Sequence, residues 1–508
     1  MEAATRTTPA DRGATLLRIL PEESALRGES PFLETARWPP ENATDPPRAL
    51  RGLANIVDGG LCHRCGSCVG ICPTGVLEVD RQGYPRIKAL SSCTDCDLCV
   101  KVCPGDEFDF KRHHREMFGV EGDLRATHGH FKQAMLIHAT DKSLRERGTS
   151  GGFVTSLLAH LLETKQVEGA VVITADKDVL WKGKPVIARD VESLLASAKS
   201  KYAIAPTNEV FSEILRMPGR YVLVGLPCQI HGFVKAAELD KRLKERVVLT
   251  VGLLCHAAVE HESYEVIWST LGEKGRQAKR FVSRIGKHPG APQVQLANGE
   301  YYPVYYGDRK GYRPSSMEVI NLLYRIYSPA RCLTCFDGTS EFADISVGDP
   351  WMAPPDDDIK LEQGWSFTLL RTPRGQKACA ELESAGKIHT RKVTASEALT
   401  CNRMMTSEKR WRAFRMIETH RRQGKPIPTY GAYGLEMPKG SGRQFLKTEI
   451  NMLTHFLCFL PAWRAPTLRF LLSGGGYRLL WLNNLRRRVR EFVRDNFASL
   501  RRRVVGRK

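Results

Sequence analysis

The 508-residue sequence contains no uninterrupted run of about 18 apolar residues, the length a bilayer-crossing helix needs. A polytopic membrane protein is therefore excluded. No apolar signal core follows the first residues, where Glu2, Asp11 and Arg12 stand instead, so no secretory signal is expected. No G-x-G-x-x-G follows a first strand, and a dinucleotide-binding fold for NAD is not indicated. No repeat of solenoid length recurs. Negative charge is scarce: 56 Asp and Glu face 76 Lys and Arg, for a net +20. Such a surface prefers acidic partners, whether anionic lipid, nucleic acid, phosphorylated cofactors or an acidic protein. Hydrophobic residues at 42% and charged residues at 26% are ordinary for a folded chain and exclude a mostly disordered or collagen-like one. The length predicts roughly two to four domains.

What the sequence has in excess is cysteine, with fifteen in all. Eight of them crowd into residues 62 to 103, a spacing that speaks for metal rather than disulfides in a long chain without a signal. The expected compartment is the reducing cytoplasm.

Residues 1–55, rich in Pro, Arg, Glu and Thr, read as an irregular extension. Residues 56–112 form the cysteine cassette, 130–424 an α/β body and 425–508 a basic C-terminal region. In the body a helix is expected from Gly151 to Thr164 and a strand from Gly169 to Thr174. The long apolar runs Arg220–Pro227 and Val247–Cys255 flank a helical stretch, Gln229–Arg246, and read as parallel strands of a βαβ unit buried on both faces. Residues 280–330 read as short strands and loops, Ala343–Asp349 as another strand, and 373–424 as mainly helical. The fold class is mixed α/β with a parallel βαβ core and a small ferredoxin-like module.

Cys62, Cys65, Cys68 and Cys72 followed by Pro73 spell C-x2-C-x2-C-x3-C-P. Cys93, Cys96, Cys99, Cys103 and Pro104 spell it again. In two-cluster ferredoxins the last cysteine of each run ligates the other cluster. The expected sets are Cys62, Cys65, Cys68 and Cys103 for one 4Fe-4S cluster, and Cys93, Cys96, Cys99 and Cys72 for the other. Paired tetrahedral zinc sites are the alternative, but zinc requires neither the third cysteine nor the Cys-Pro ending.

A second group of cysteines lies in the body. Cys228 and Cys255 end the two strands of the βαβ unit and fall on one sheet edge, where ligands bind. Cys332 and Cys335 add a C-x2-C pair. Spacing alone leaves open a joint metal site, a small zinc or redox pair, and buried structural cysteines, which is how Cys379, Cys401 and Cys458 are read.

The ordered motifs Gly148–Leu158 (GTSGGFVTSLL), Ser200–Tyr202 (SKY), Val224–Gly232 (VGLPCQIHG), Gly252–His256 (GLLCH) and Cys332–Asp349 (CLTCFDGTSEFADISVGD) resemble the family of beta subunits of coenzyme F420-reducing hydrogenases and dehydrogenases, which includes chlorophyll side-group reductases. The likeness covers about residues 56 to 420. It implies that Cys228, Cys255, Cys332 and Cys335 hold a third 4Fe-4S cluster beside an FAD. It also implies a flavin site at Thr149, Ser150, Gly151, Gly152, Lys201 and Tyr202, with Asp349 as a further candidate. Read alone, Ser/Thr-Gly-Gly before a helix is more often a plain cap, Lys201 a surface lysine, and Asp349 a strand end. A flavin suits the chemistry, because iron-sulfur clusters move single electrons while most organic acceptors take pairs.

The resulting expectation is an iron-sulfur flavoprotein oxidoreductase working between ferredoxin or another redox protein and a small-molecule substrate such as the deazaflavin coenzyme F420. A ferredoxin-dependent reductase of a tetrapyrrole or other organic substrate, and an electron-transfer subunit of a larger complex, are the alternatives. No catalytic proton donor is legible. His256 beside Cys255 is a candidate acid, and more commonly such a His is a hydrogen-bonding neighbour.

From Arg486 to Lys508 ten basic residues face only Glu491 and Asp495, with Leu485, Val489, Phe492 and Val493 at helical intervals and the apolar stretch Phe456–Leu460 with Trp463 upstream. This reads as a basic amphipathic helix, suited to peripheral contact with the inner face of the membrane or to a partner protein. Nucleic acid is disfavoured, since no binding fold accompanies the charge.

Overall fold

The structure is a computed structural model that describes residues 30–35, 45–482, 484–486 and 489, apart from 124–125, 287–288, 307–313, 353, 357 and 432–441. The basic tail beyond Val489 and the first 29 residues therefore lie outside the described residues.

The cassette contains the hairpin β1 (Leu77–Val79) and β2 (Pro85–Ile87). The body is built on an eight-stranded sheet. Its strands are β3 (Gln133–Ala139), β4 (Gly169–Ala175), β5 (Gly183–Ala188), β6 (Tyr221–Gly225) and β7 (Val247–Leu253). A separate antiparallel meander follows, with β8 (Ala278–Ile285), β9 (Ala291–Leu296) and β10 (Tyr301–Pro303), and then β11 (Ile345–Gly348), β12 (Ser366–Leu370) and β13 (Ile388–Val393) complete the main sheet. Its order is β13-β3-β12-β11-β7-β6-β4-β5. The four central strands β4, β6, β7 and β11 run parallel, and the outer ones antiparallel. The fold is mixed α/β.

The two-residue period of the strands divides the core. Val222, Leu249 and Val251 pack with the helix Phe153–Glu163, while Tyr221 and Leu223 face Ile230, Phe233, Phe336 and Phe342. The second of these cores also receives Ile71, Val102, Phe108 and Phe110 from the cassette.

Several boundaries depart from the sequence expectation. The stretch Gln229–Arg246 is two helices, Pro227–Leu239 and Lys241–Arg246. Pro227 occupies the first helical turn, where its missing N–H costs nothing, so Cys228 lies in the opening turn of a helix rather than at the end of β6. Ser316–Tyr327 is a helix, begun by a Ser315/Glu318 capping box. The polar stretch 373–424 includes β13, which pairs with β3. Within the N-terminal extension, Arg48–Asp58 is an amphipathic helix whose Leu50, Leu53 and Ala54 cover Val76, Leu77 and Ile87 of the cassette.

The cassette is locked to the body at Asn208. Its backbone N–H donates to the Cys65 carbonyl (2.9 Å), and its Nδ2 donates to Ser67 Oγ and to the Gln229 carbonyl (both 2.8 Å). Asn208 is fully buried. A Cβ on Gly70 would meet the Asn208 carbonyl at 2.1 Å, so only glycine allows this approach. The Asn208→Ala variant should lose about 1–3 kcal/mol, the cost of buried groups left without partners. Thermal unfolding of the intact protein checks this, and an unchanged midpoint contradicts it.

Candidate metal and cofactor site

Each cysteine run folds the same way. In the first, Arg64 and Gly66 adopt left-handed backbone (φ 57° and 86°) before the short helix Ser67–Ile71; in the second, Asp95 and Asp97 do so (φ 54° and 61°) before Leu98–Lys101. These turns curl each run around a cavity. The first cavity is lined by Cys62, Cys65, Cys68 and Cys103, and the second by Cys72, Cys93, Cys96 and Cys99. Each takes three cysteines from one run and the last from the other.

The two cavities differ in exposure. Cys65 and Cys103 are buried, whereas Cys96 is exposed. Burial, reinforced by Cys103 and Cys65, pushes the Cys62 thiol up to about 12, and burial with Cys65 pushes Cys103 up to about 11. Such thiols stay protonated until metal supplies positive charge, so loading must release protons. A single zinc ion would hold its sulfurs about 3.8 Å apart, from a Zn–S distance of about 2.3 Å. Among the described residues no cysteine trio lies within 4.8 Å; the only such ligand group is His113, Glu116 and Glu238. That group already holds a cation, since Arg112 bonds both carboxylates. The thiols are thus not gathered as closely as a single zinc ion requires.

The third set comes from four places: Cys228 from the helix Pro227–Leu239, Cys255 two residues beyond β7, Cys332 from the short helix Ala330–Leu333, and Cys335 just after it. They lie near enough to perturb one another. Burial, and then Cys65, Cys335, Cys255 and Cys332, raise the Cys228 thiol far above its ordinary value. Cys65 belongs to the inner cassette cavity, so that cavity is the neighbour of the third set.

Buried cations surround these sulfurs. Lys409, 2% exposed, donates from Nζ to the Cys255 carbonyl (2.9 Å) and the Asp337 carbonyl (2.8 Å). Burial opposes its charge, and Asp337 together with Cys335, Cys255 and Cys332, once these are thiolate ligands, holds its pKa up. Arg412 is also buried and reaches His256 Nε2 at 2.9 Å. His256 is thereby kept neutral, by burial first and by Arg412 and Lys409 next. It is a hydrogen-bonding neighbour and a poor proton donor. His231 Nε2 bonds Asp337 Oδ2 at 3.0 Å, and this pair braces the loop after Cys335.

The GTSGG and SKY loops meet. Thr149 Oγ1 accepts from the Ser200 N–H (3.0 Å), and Ser150 Oγ bonds Ser366 Oγ (2.9 Å). A Cβ on Gly151 would strike the Ile137 carbonyl at 2.4 Å, and one on Gly152 (φ 73°) the Leu144 carbonyl at 2.6 Å. These glycines are thus required by the chain's own packing. Lys199 Nζ donates to the Glu146 and Gly148 carbonyls (2.9 and 2.8 Å), and Lys201 Nζ to those of Ser197, Ala198 and Lys199. Neither meets a carboxylate among the described residues. Burial, with Arg280 nearby, lowers Lys201 to about 7, and burial with Arg284 and Arg280 lowers Lys199 to about 8. An open cleft beside Arg280 is lined by Arg147, Lys177, Lys279 and Arg280, with Asp176 and Glu192.

Arg284 Nη1 pairs with Asp349 Oδ2 at 2.7 Å, and Asn402 Nδ2 donates to the Asp349 carbonyl at 2.8 Å. Arg284 Nη2, Asp349 Oδ1 and Asn402 Oδ1 remain buried without partners. Tyr202 is close enough to feel Arg284 and Asp349. Tyr324 is close enough to feel Tyr202, Cys255 and Cys332. Lys199, Arg284, Asn402 and Lys409 carry no sequence motif; only the charge doublet around Ser200 hints at the first.

Residues 134–212 match the family model for the N-terminal part, and 219–396 that for the C terminus, of the coenzyme F420 hydrogenase/dehydrogenase beta subunit. The chain belongs to this family. Residues 61–116 match the 4Fe-4S dicluster domain, and the cassette is an iron-sulfur module of that kind. Among similar proteins is a coenzyme F420-dependent sulfite reductase of Methanocaldococcus jannaschii, 26% identical over 64% of this chain but only 46% of its own length. This chain spans less than half of that relative. A subunit of the F420H2 dehydrogenase of Methanosarcina mazei is 26% identical, over 64% of this chain and 83% of its own. The coenzyme F420 hydrogenase subunit beta of Methanothermobacter thermautotrophicus is 26% identical, over 59% and 99%. A chain in a structure of the F420-reducing nickel-iron hydrogenase complex from Methanosarcina barkeri aligns with 22% identity and a TM-score of 0.47, covering 61% of this chain and 99% of that one. No helix among the described residues is long and apolar enough to cross a membrane.

The cassette should hold about eight irons. A chelator or mild oxidant should remove the set at exposed Cys96 before the buried one. Iron release followed alongside electron paramagnetic resonance checks the order, and loss of both sets together contradicts it.

Proposed function

We propose that this chain is an iron-sulfur flavoprotein oxidoreductase that exchanges electrons between a ferredoxin-type partner and a two-electron substrate, with the deazaflavin coenzyme F420 the leading substrate class. What supports the reading is a chain of neighbours: the exposed cavity at Cys96, the inner cavity at Cys62 and Cys103, the thiol set beside Cys65, and Tyr324, which is near Cys255, Cys332 and Tyr202. Cys228, Cys255, Cys332 and Cys335 would hold a third 4Fe-4S cluster. Lys409 and Arg412 fit it, because a buried tetrathiolate cluster is anionic and needs such charge nearby.

The residues beside the cleft suit FAD on two counts. Lys199 and Lys201 are half-buried cations without a carboxylate partner, a charge that suits a pyrophosphate. The orphaned atoms of Arg284, Asp349 and Asn402 supply donors and acceptors for a polar ring edge. When bound there, a flavin interconverts single electrons and hydride equivalents. Thr149 and Ser150 act in this reading by fixing the loop that presents the lysines. Two of the relatives are themselves named as subunits, which supports a variant of the proposal in which the chain works inside a larger complex with a catalytic partner.

Three results test the reading. Anaerobically reconstituted protein should carry one FAD and about twelve irons, and Cys335→Ala should lose about four. A colourless, zinc-loaded protein overturns it. Lys409→Met should lower the reduction potential of the third cluster while sparing the cassette, since the anionic reduced form loses its countercharge; an unshifted potential contradicts the assignment.

Flavin affinity should fall as pH rises through about 7 to 8, where Lys201 and then Lys199 lose their protons. Binding a diphosphate holds both lysines protonated, so proton uptake accompanies it at pH 8. Calorimetry in buffers of different ionisation enthalpy reads that uptake. Its absence, or Lys201→Ala binding FAD as tightly as the parent, contradicts the lysine role.

A further inference from the structure

The helix Gly442–Leu453 is turned the wrong way round for a surface helix of an isolated protein. Leu446, Ile450 and Leu453, at helical spacing on one stripe, are 60%, 55% and 69% exposed. The polar Thr448 is buried on the other side. There the helix is held by polar bonds, Arg415 Nε to Glu449 (2.5 Å) and Lys447 to Glu408 (2.6 Å), while Met452 packs beside Leu333 and Met416. Anchoring therefore uses the polar side and leaves the apolar stripe outward.

The pattern continues along the chain. Phe456, Phe459, Leu460 and Trp463 are 54%, 41%, 43% and 64% exposed, and Phe470 55%. The helix Pro461–Leu472 is meanwhile fixed to the body by buried Leu468 and Leu471, so its exposed residues are not needed to hold it. Large apolar side chains gathered in this way on a folded surface mark an interaction site.

Charge selects the partner. From Arg443 to Arg490 the sequence has nine Lys or Arg and a single acid, Glu449, and that carboxylate is already taken by Arg415. Arg443, Arg469 and Arg478 are exposed between the apolar residues. A protein groove rewards paired charges of both signs in a fixed register. A single sign, interleaved with Trp, Phe and Leu over some fifty residues (442 to 490), matches a fluid anionic leaflet, where aromatic rings sit at headgroup level and basic residues meet the lipid phosphates.

We propose that residues 442 to 482 dock this protein onto an anionic lipid surface, lying on it without crossing it. The full-length protein with its clusters, mixed with phosphatidylcholine vesicles with and without phosphatidylglycerol, tests this by cosedimentation. Binding should favour the anionic vesicles by about tenfold or more, weaken as salt shortens screening to about 8 Å at physiological ionic strength, and retain a salt-resistant part from apolar insertion. The triple variant Leu446→Ser, Leu453→Ser, Trp463→Ser should lose the salt-resistant part, with cluster absorbance unchanged as proof of folding. The variant Arg443→Gln, Arg469→Gln, Arg478→Gln should lose the preference for anionic lipid and keep that part. Equal binding of parent and triple variant overturns the proposal. So does a parent that sediments with neither vesicle, an outcome that assigns the surface to a partner subunit, or one that sediments without vesicles, which assigns it to a second copy of this chain.

Discussion

Buried sulfur ligands have to be paid in positive charge, and the interior of this protein is arranged around that requirement. A cysteine thiol in an apolar site keeps its proton; Cys62 and Cys255 are each pushed up to about 12. Each further sulfur raises its neighbours again. Lys409, Arg412 and Arg331, all buried, stand where cluster charge would otherwise be uncompensated. A lysine in the core with no carboxylate on its ammonium is a poor structural choice unless an anion is its partner.

The same requirement separates the two halves of the proposed route. Around the thiols the countercharge is held by Lys409 and Arg412. Beside the cleft, Lys199 and Lys201 have only carbonyl partners and lowered pKa values, and in the proposed reading the anion they suit arrives from solution. Tyr324 is near Cys255, Cys332 and Tyr202, and Tyr202 is near Arg284 and Asp349. In the cassette exposure rises from the buried Cys65 and Cys103 to the exposed Cys96.

How much of this was legible in the sequence varies with the distance over which the meaning is set. The cassette is local: spacing alone names its eight thiols, and the left-handed turns at Arg64, Gly66, Asp95 and Asp97 repeat with it. The body cysteines are legible as members of ordered motifs, yet Cys228 sits in a helix because Pro227 opens one rather than closing a strand. Ser315 and Glu318 carried a readable start signal for the helix Ser316–Tyr327, while β13 did not, because its polar residues face solvent and only pairing with β3 makes it a strand. Lys409 was illegible. Its role depends on Cys255, more than 150 positions earlier, and no pattern of nearby residues encodes that contact. Gly151 and Gly152 could be singled out, but their tight fit against Ile137 and Leu144 exists only in three dimensions.

The central claim is that electrons enter at the cassette and leave by the cleft. Rapid mixing of the oxidised protein with reduced ferredoxin, followed by freeze-quench electron paramagnetic resonance and flavin absorbance, tests it most directly. Cassette signals should appear first and flavin bleaching later, and protein carrying Cys62→Ala and Cys93→Ala should bleach far more slowly. Bleaching at an undiminished rate without the cassette clusters would contradict the account.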